Sequence, residues 1–180
     1  MRKAIALLII AISAIAVKAQ SDSIGIYSVR DRIVKRMEII KHNQTRISGA
    51  LVVYKTKLVY DGATSENHFK GTAHFRIYFS QPHYTLLAKY YMFTPNFSIK
   101  DFAVGKLEAK KGSRQLSVGL TNLAGGYVGA KKAENVNVKT TQLREGVYEI
   151  EVSGPPGEYC IMQVTNGVGG YNGIFDFTIE

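Results

Sequence analysis

The sequence predicts an all-β protein, a two-sheet antiparallel β-sandwich of immunoglobulin-like type. Apolar and polar residues alternate over short runs through most of the chain, and turns rich in Gly or Pro separate these runs. Regularly spaced short strands of this kind are typical of sandwiches. Because 180 residues correspond to one domain of ordinary size, we expect a single sandwich domain over residues 20–180, with eight or nine strands.

Residues 1–19 are predicted to be a cleaved signal peptide. Three residues with two basic side chains precede an apolar run of about 14 residues, shorter than the roughly 20 that a membrane-spanning helix needs. Val17-Lys18-Ala19 fits the small-x-small rule for cleavage after Ala19. We therefore expect export by the Sec route and a periplasmic or extracellular location. A membrane anchor is the alternative interpretation.

The chain is basic, with 23 Lys and Arg against 14 Asp and Glu and a net charge of +9. Cleavage would remove Arg2, Lys3 and Lys18 and no acid, which leaves +6. A positive charge of this size favours anionic partners such as lipid headgroups, acidic polysaccharide or nucleic acid. Export makes nucleic acid the least favoured of the three, and no further span is expected after cleavage.

The clearest strand covers residues 74–80, where Phe75, Ile77 and Phe79 share one face and polar residues share the other. An antiparallel sheet with one face on a core and one face in solvent produces this alternation. The same pattern predicts half-buried strands over residues 52–60, 148–152 and 175–179.

Hairpin turns are predicted at Lys110-Lys111-Gly112-Ser113 and at Arg144-Glu145-Gly146, because Gly can adopt the left-handed conformation that a short turn requires. Gly154-Pro155-Pro156-Gly157 is predicted to end one strand, and a strand over residues 158–164 follows it.

Other segments give weaker patterns. Residues 24–27 and 33–40 are predicted to be strands, with a strand followed by a helix as the alternative. Residues 84–93 fit a short helix or an irregular loop equally well. The glycine-rich stretches over residues 123–129 and 166–173 are predicted to be loops, because neither has the spacing of a dinucleotide fingerprint.

The sequence contains no Gly-x-Ser-x-Gly, His-Glu-x-x-His, Walker loop or Cys-x-x-Cys. The histidines match no metal-ligand spacing, and we predict a protein that is not an enzyme and holds no cofactor or metal. The alternative is a hydrolase of cell-wall or glycan material whose site combines distant residues such as His74, Tyr78 and Glu149. Cys160, the lone cysteine, is predicted to be a small buried hydrophobic residue.

Aromatic residues concentrate between residues 78 and 97 and form the candidate ligand or partner surface. Such rings stack on sugars or fill protein interfaces, although core packing explains many of them. The residues of this candidate surface are Tyr84, Tyr90, Tyr91, Phe93 and Phe97.

Basic residues cluster around the hairpin predicted at residues 110–113, at Lys106, Lys110, Lys111 and Arg114. The first interpretation is a set of solvated side chains that prevents the strand edges from pairing with other chains. The alternative is an anion-binding tip.

Four segments carry a family resemblance. They are His74-Phe75-Arg76-Ile77-Tyr78-Phe79, Thr94-Pro95-Asn96 followed by residues 102–114, Pro155-Pro156-Gly157-Glu158-Tyr159, and Phe175-Asp176-Phe177-Thr178-Ile179. In this order they resemble a family of uncharacterised exported β-rich proteins from Gram-negative bacteria. The likeness covers roughly residues 60–180 and departs from the family over residues 81–93 and at Thr178, where a glycine is usual. It implies export and an all-β fold, and it assigns no catalytic residue.

We therefore expect an exported, non-enzymatic binding or interaction module of the cell envelope or extracellular space. We expect a monomer whose partner is a protein or a polysaccharide. The alternative is a subunit of an export or surface assembly. The expectation of a binding module rests on the absence of catalytic motifs and on fold analogy.

Overall fold

The computed structural model describes residues 25–50, 53–78, 98–122, 125–128, 133–163 and 173–180. Within these ranges the chain forms thirteen strands, one 3-10 turn over Ile99–Asp101 and no α-helix. The predicted number of eight or nine strands is too low, because several strands are too short to show a period. The strands are β1 (Gly25–Arg30), β2 (Ile33–Arg36), β3 (Gln44–Ala50), β4 (Val53–Asp61), β5 (His68–Phe69), β6 (Ala73–Tyr78), β7 (Phe102–Lys110), β8 (Ser113–Asn122), β9 (Gly125–Val128), β10 (Asn137–Arg144), β11 (Val147–Ser153), β12 (Gly157–Gln163) and β13 (Phe175–Ile179).

The strands form two sheets. The smaller sheet has the order β10-β11-β6-β1-β2, and all its pairs are antiparallel. The larger sheet has the order β3-β4-β8-β7-β12-β13-β5, with β9 also paired to β8. Its described pairs are antiparallel except for β13 with β5, which is parallel. The prediction of an all-β protein with two mostly antiparallel sheets is confirmed.

The main core lies between the smaller sheet and strands β7, β12, β13 and β5 of the larger one. Phe75 of β6 packs on Phe177 of β13, with ring centroids 4.8 Å apart. The alternation predicted for residues 74–80 and 148–152 is confirmed within the described residues, because every second side chain enters this core. The contributors from these two strands are Ala73, Phe75, Ile77, Ile150 and Val152.

A second core covers the opposite face of β7 and β12. Strand β7 pairs with β12 along most of its length but with β8 only over its last three residues. The β4–β8 part of the larger sheet therefore turns away and packs back over β12, where Leu58 and Leu116 meet Cys160 and Met162. At Gly105 an added Cβ would lie 3.0 Å from Met162 Cε and 3.2 Å from Cys160 Sγ, so glycine keeps this contact close.

The packing of β4 and β8 over the rest of the larger sheet also explains why the prediction for β13 is wrong. The strand was expected to have one solvated face, but all five of its residues are buried. Phe177 faces the main core, whereas Asp176 and Thr178 lie beneath Arg114 and Glu158. Local alternation predicts solvent exposure for Asp176 and Thr178, because it does not reveal partners that are distant in sequence.

Turn chemistry agrees with the predicted hairpins. Gly112 (φ 73°) closes β7–β8 and Gly146 (φ 71°) closes β10–β11.

Before β12, the Tyr159 hydroxyl donates a hydrogen bond of 2.7 Å to the Pro155 carbonyl oxygen. Tyr159 is buried, and desolvation raises the pKa of its hydroxyl.

Two weakly patterned segments are also described. Strand β2 ends at Arg36, so the strand predicted over residues 33–40 is too long, although Ile40 forms a bridge to Ile174. Residues 125–128 form β9, where a loop was predicted. Residues 84–93 and 166–172 lie outside the described residues, so both predictions stand as predictions.

Candidate functional site

The candidate surface predicted from aromatic residues lies outside the described residues. Residues 79–97 are not described, and they include all five residues of this surface: Tyr84, Tyr90, Tyr91, Phe93 and Phe97.

The residues of the alternative hydrolase site lie on the face of the smaller sheet that points away from the main core. His74 Nδ1 lies 4.0 Å from Glu149 Oε1, which is longer than a hydrogen bond. Tyr78 is buried against Tyr27 and Val147, with the two tyrosine ring centroids 5.1 Å apart. The structure thus brings the three residues to one face, with Tyr78 engaged in packing.

Arg114 does not belong to a solvated basic hairpin as predicted. Arg114 is only 4% exposed, because it is the second residue of β8 and lies on the face that packs over β12 and β13. The guanidinium contacts Asp176, to which Nη1 donates, and Nη1 lies 3.6 Å from Glu158 Oε2. Arg114, Glu158 and Asp176 form what we call the buried ion cluster.

The buried ion cluster is connected to the chain around it by further hydrogen bonds. Arg114 Nε and Nη2 donate to the carbonyl oxygens of Gly62 and Asp61, each at 3.1 Å. Glu158 accepts from the Thr178 hydroxyl at 2.7 Å and from the Ser65 backbone N–H at 3.0 Å. Buried charges need this degree of compensation. The cluster therefore fastens the turn after β4 to β12 and β13, which is a structural role.

Basic side chains gather on the solvent-facing side of the β3–β4–β8–β7 part of the larger sheet. We call this surface the basic face. In the strand register Arg46 lies opposite Lys57, and Lys55 is one repeat further along the same face of β4. On β7, Lys106 and Lys110 flank Glu108 on that face. The basic face consists of Arg46, Lys55, Lys57, Lys106 and Lys110.

Two carboxylates lie on the same side of the sheet. Asp61 accepts a hydrogen bond from the Asn43 side-chain amide, and it is level with Lys110 across β8, because Ser113 pairs with both residues. Glu108 Oε2 accepts from Lys57 Nζ at 2.6 Å. Five cations against two acids leave this surface with an excess of positive charge.

The Lys57–Glu108 bridge connects β4 to β7 across the intervening strand β8. Gln115 pairs with both Glu108 and Val59, so it lies between the two bridging strands and is only 7% exposed. The pKa of Glu108 is lowered, chiefly by the hydrogen bond from Lys57 and further by the charges of Lys57, Lys110 and Lys55, against an opposing effect of desolvation. The same cations that act on Glu108 would act on an external anion placed above the sheet.

Apolar side chains mark the other face of the β3–β4 hairpin. Ile47 is 68% exposed and Tyr54 is 47% exposed, although Leu58 on the same face of β4 enters the second core. The predicted apolar face of residues 52–60 is thus confirmed at Leu58 and Tyr60 but continues into solvent toward Tyr54.

Cys160 is buried, as predicted, in the second core. Burial raises the pKa of its thiol to about 12. A thiol that stays protonated at neutral pH is a poor nucleophile and metal ligand.

Within the described ranges, no three His, Cys, Asp or Glu side chains come close enough together to hold a metal ion. In the same ranges there is no helix with the length and hydropathy to span a membrane. Comparisons with protein-family models, curated proteins and solved structures found no match.

Proposed function

We propose that this chain is an exported, non-enzymatic binding module of the cell envelope or extracellular space, and that it holds an anionic polymer on the basic face. The observation that carries the proposal is the convergence of five cations from three strands on one solvent-facing surface. A surface of one charge sign attracts a partner of the opposite sign and raises its local concentration. Among envelope partners, an acidic polysaccharide fits this surface best.

The distribution of the cations over three strands supports a polymer in preference to a single small anion. An exposed ion pair contributes only about 0–1 kcal/mol, so one lysine holds one anion weakly. A chain that carries many anionic groups engages several cations at once, and the individual contributions combine.

The immunoglobulin-like arrangement belongs to the same proposal. Its support is local: the Tyr159 hydroxyl reaches back to Pro155 at the start of β12, as in the tyrosine corner of immunoglobulin-like sandwiches. Domains of this type present their loops and outer sheet faces to partners, which suits a binding module.

Binding measured with charge variants tests the proposed function. We would titrate the chain with polygalacturonate, dextran sulfate, polyphosphate and neutral dextran by calorimetry at low salt. Lys55→Gln/Lys110→Gln should weaken polyanion binding by about tenfold, and added salt should weaken wild-type binding. The matched control is Lys35→Gln/Lys70→Gln, which removes two exposed charges outside the basic face and should change affinity less than about twofold.

The results have opposite meanings for the proposal. A loss confined to Lys55→Gln/Lys110→Gln would support it. No wild-type binding to any polyanion, or equal loss in both double variants, would contradict it.

An assembly subunit is the second candidate, and strand β10 favours it. In the described part of the smaller sheet β10 lies at the edge, and all eight of its residues are exposed. An edge strand of this kind can accept a strand from a partner. Val138→Lys/Leu143→Lys should then abolish any self-association or partner capture seen in sedimentation analysis. A wild-type chain that remains monomeric and captures no partner would contradict this candidate.

A further inference from the structure

One carboxylate, that of Glu108, lies at the centre of the basic face. Its Oε2 atom accepts a hydrogen bond of 2.6 Å from Lys57 Nζ, and the charges of Lys55 and Lys110 also act on it. Glu108 thus occupies, from within the chain, a place beside Lys57 where an external anion would meet the same cations.

The Lys57–Glu108 ion pair is accessible to solvent, so an external anion can take the place of Glu108 in it. The Glu108 side chain is 49% exposed and that of Lys57 is 23% exposed. Water and salt screen such a pair, so separating it costs little. The neighbouring Gln115 is buried and uncharged, so Lys57 is the cation that Glu108 contacts directly and that a competing anion would gain.

We propose that Glu108 acts as an internal competitor on the basic face and that the ligand is a polymer of carboxylates, such as a polyuronate. One ligand carboxylate takes the place beside Lys57 that Glu108 holds in the free protein. This inference rests on the proposed function. The carboxylate class follows from the present occupant: a ligand carboxylate restores to Lys57 the same charge-assisted hydrogen bond that Glu108 gives up.

Removal of the Glu108 charge should therefore strengthen binding. Glu108→Gln keeps the length and hydrogen-bonding capacity of the side chain but withdraws the competing charge. Because this variant also raises the net charge by one, it needs a control with the same net charge. Glu66→Gln provides it, since Glu66 is exposed in the segment between β4 and β5, away from the basic face.

The test measures polygalacturonate affinity at low salt for the wild type, Glu108→Gln, Glu66→Gln, Lys57→Gln and the Lys57→Gln/Glu108→Gln double variant. We expect Glu108→Gln to bind about three- to tenfold more tightly and Glu66→Gln to stay within about twofold of the wild type. In the absence of Lys57 the gain should disappear, because the two effects are coupled through one contact.

The possible failures are distinguishable. If wild-type binding exists and Lys55→Gln/Lys110→Gln weakens it as expected, but Glu108→Gln matches Glu66→Gln, the internal competitor is wrong and the proposed function stands. If Glu108→Gln still strengthens binding when Lys57 is replaced, the internal competitor is likewise wrong and the proposed function stands. Tighter binding of dextran sulfate or polyphosphate than of polygalacturonate overturns the carboxylate class. Absence of wild-type binding to all three polyanions overturns the proposed function and this inference together.

Discussion

Arg114 and Asp176 form an ion pair that is buried between β8 and β13, two strands that are not neighbours in the sheet. The pair joins the folded-back β4–β8 layer to the strands that line the main core. Glu158 lies beside the same guanidinium, so a single basic side chain serves two buried carboxylates.

Replacement of Arg114 should therefore lower the free energy of unfolding strongly. Arg114→Met leaves Glu158 and Asp176 buried without their cation, which typically costs about 3–5 kcal/mol of the free energy of unfolding. Thr178→Val removes one hydrogen bond to Glu158 and should cost about 1–2 kcal/mol. Urea denaturation at neutral pH measures both, with exposed Lys110→Met as a control that should stay within about 0.5 kcal/mol. A loss below about 1 kcal/mol for Arg114→Met would show that the cluster does not stabilise the fold.

In the folded state the Cys160 thiol should react slowly with alkylating reagents and should remain protonated. Its pKa is raised to about 12, against roughly 8.5 in an unfolded chain. Between these values the unfolded chain binds fewer protons, so the stability contributed by the neutral thiol is complete below about pH 8.5 and is lost as the pH rises toward 12. Urea midpoints should fall more between pH 8 and pH 10 for the wild type than for Cys160→Ala. Rapid thiol alkylation without denaturant at pH 8 would contradict the burial.

The β1–β2 turn should be improvable. Asp31 (φ 48°) and Arg32 (φ 66°) both have the left-handed conformation that two-residue hairpin turns demand and that Asn-Gly adopts best. Asp31→Asn/Arg32→Gly should raise stability by about 1 kcal/mol, seen as a higher thermal midpoint. The converse control is Gly112→Ala, where a Cβ meets no atom within 4 Å but φ is 73°. Gly112→Ala should lower the free energy of unfolding by about 1 kcal/mol from backbone strain alone. If neither Gly112→Ala nor Asp31→Asn/Arg32→Gly changes stability, left-handed backbone strain does not limit these turns.

The Tyr159 hydroxyl should stabilise the start of β12. Tyr159→Phe removes the 2.7 Å hydrogen bond and leaves the Pro155 carbonyl without this donor, while the ring remains stacked on Phe177. We expect a loss of about 1 kcal/mol in urea denaturation, because the hydroxyl is a single neutral donor. Tyr54→Phe, at a side chain that is 47% exposed, is the comparison and should lose less. Equal losses would mean that the corner contributes nothing specific.

The sequence was sufficient for features that depend on local pattern. The alternation at Phe75 and Ile77 predicted a strand with one buried face, and the apolar surroundings of Cys160 predicted its burial. Gly112 predicted a turn through its backbone freedom alone. Each of these follows from residues within a few positions of one another.

Features that depend on distant partners were not predictable in this way. Asp176 resembles a solvent-facing residue until Arg114, 62 positions away, is packed over it. The basic face likewise requires Lys57 to lie near Glu108, which are 51 positions apart and two strands apart in the sheet. The sequence showed the cluster around residues 106–114 but placed Arg114 among the solvated cations, because charge runs do not reveal which member is buried.

The location of the bound polymer tests the central claim most directly. We would record amide chemical-shift changes of the chain as polygalacturonate is added at low salt. The account predicts that the largest changes fall on β3, β4 and β7, around Lys55, Lys57 and Glu108, and that salt reverses them. Changes concentrated on β10 and β11, or on residues 84–97, or no change at all, would contradict it.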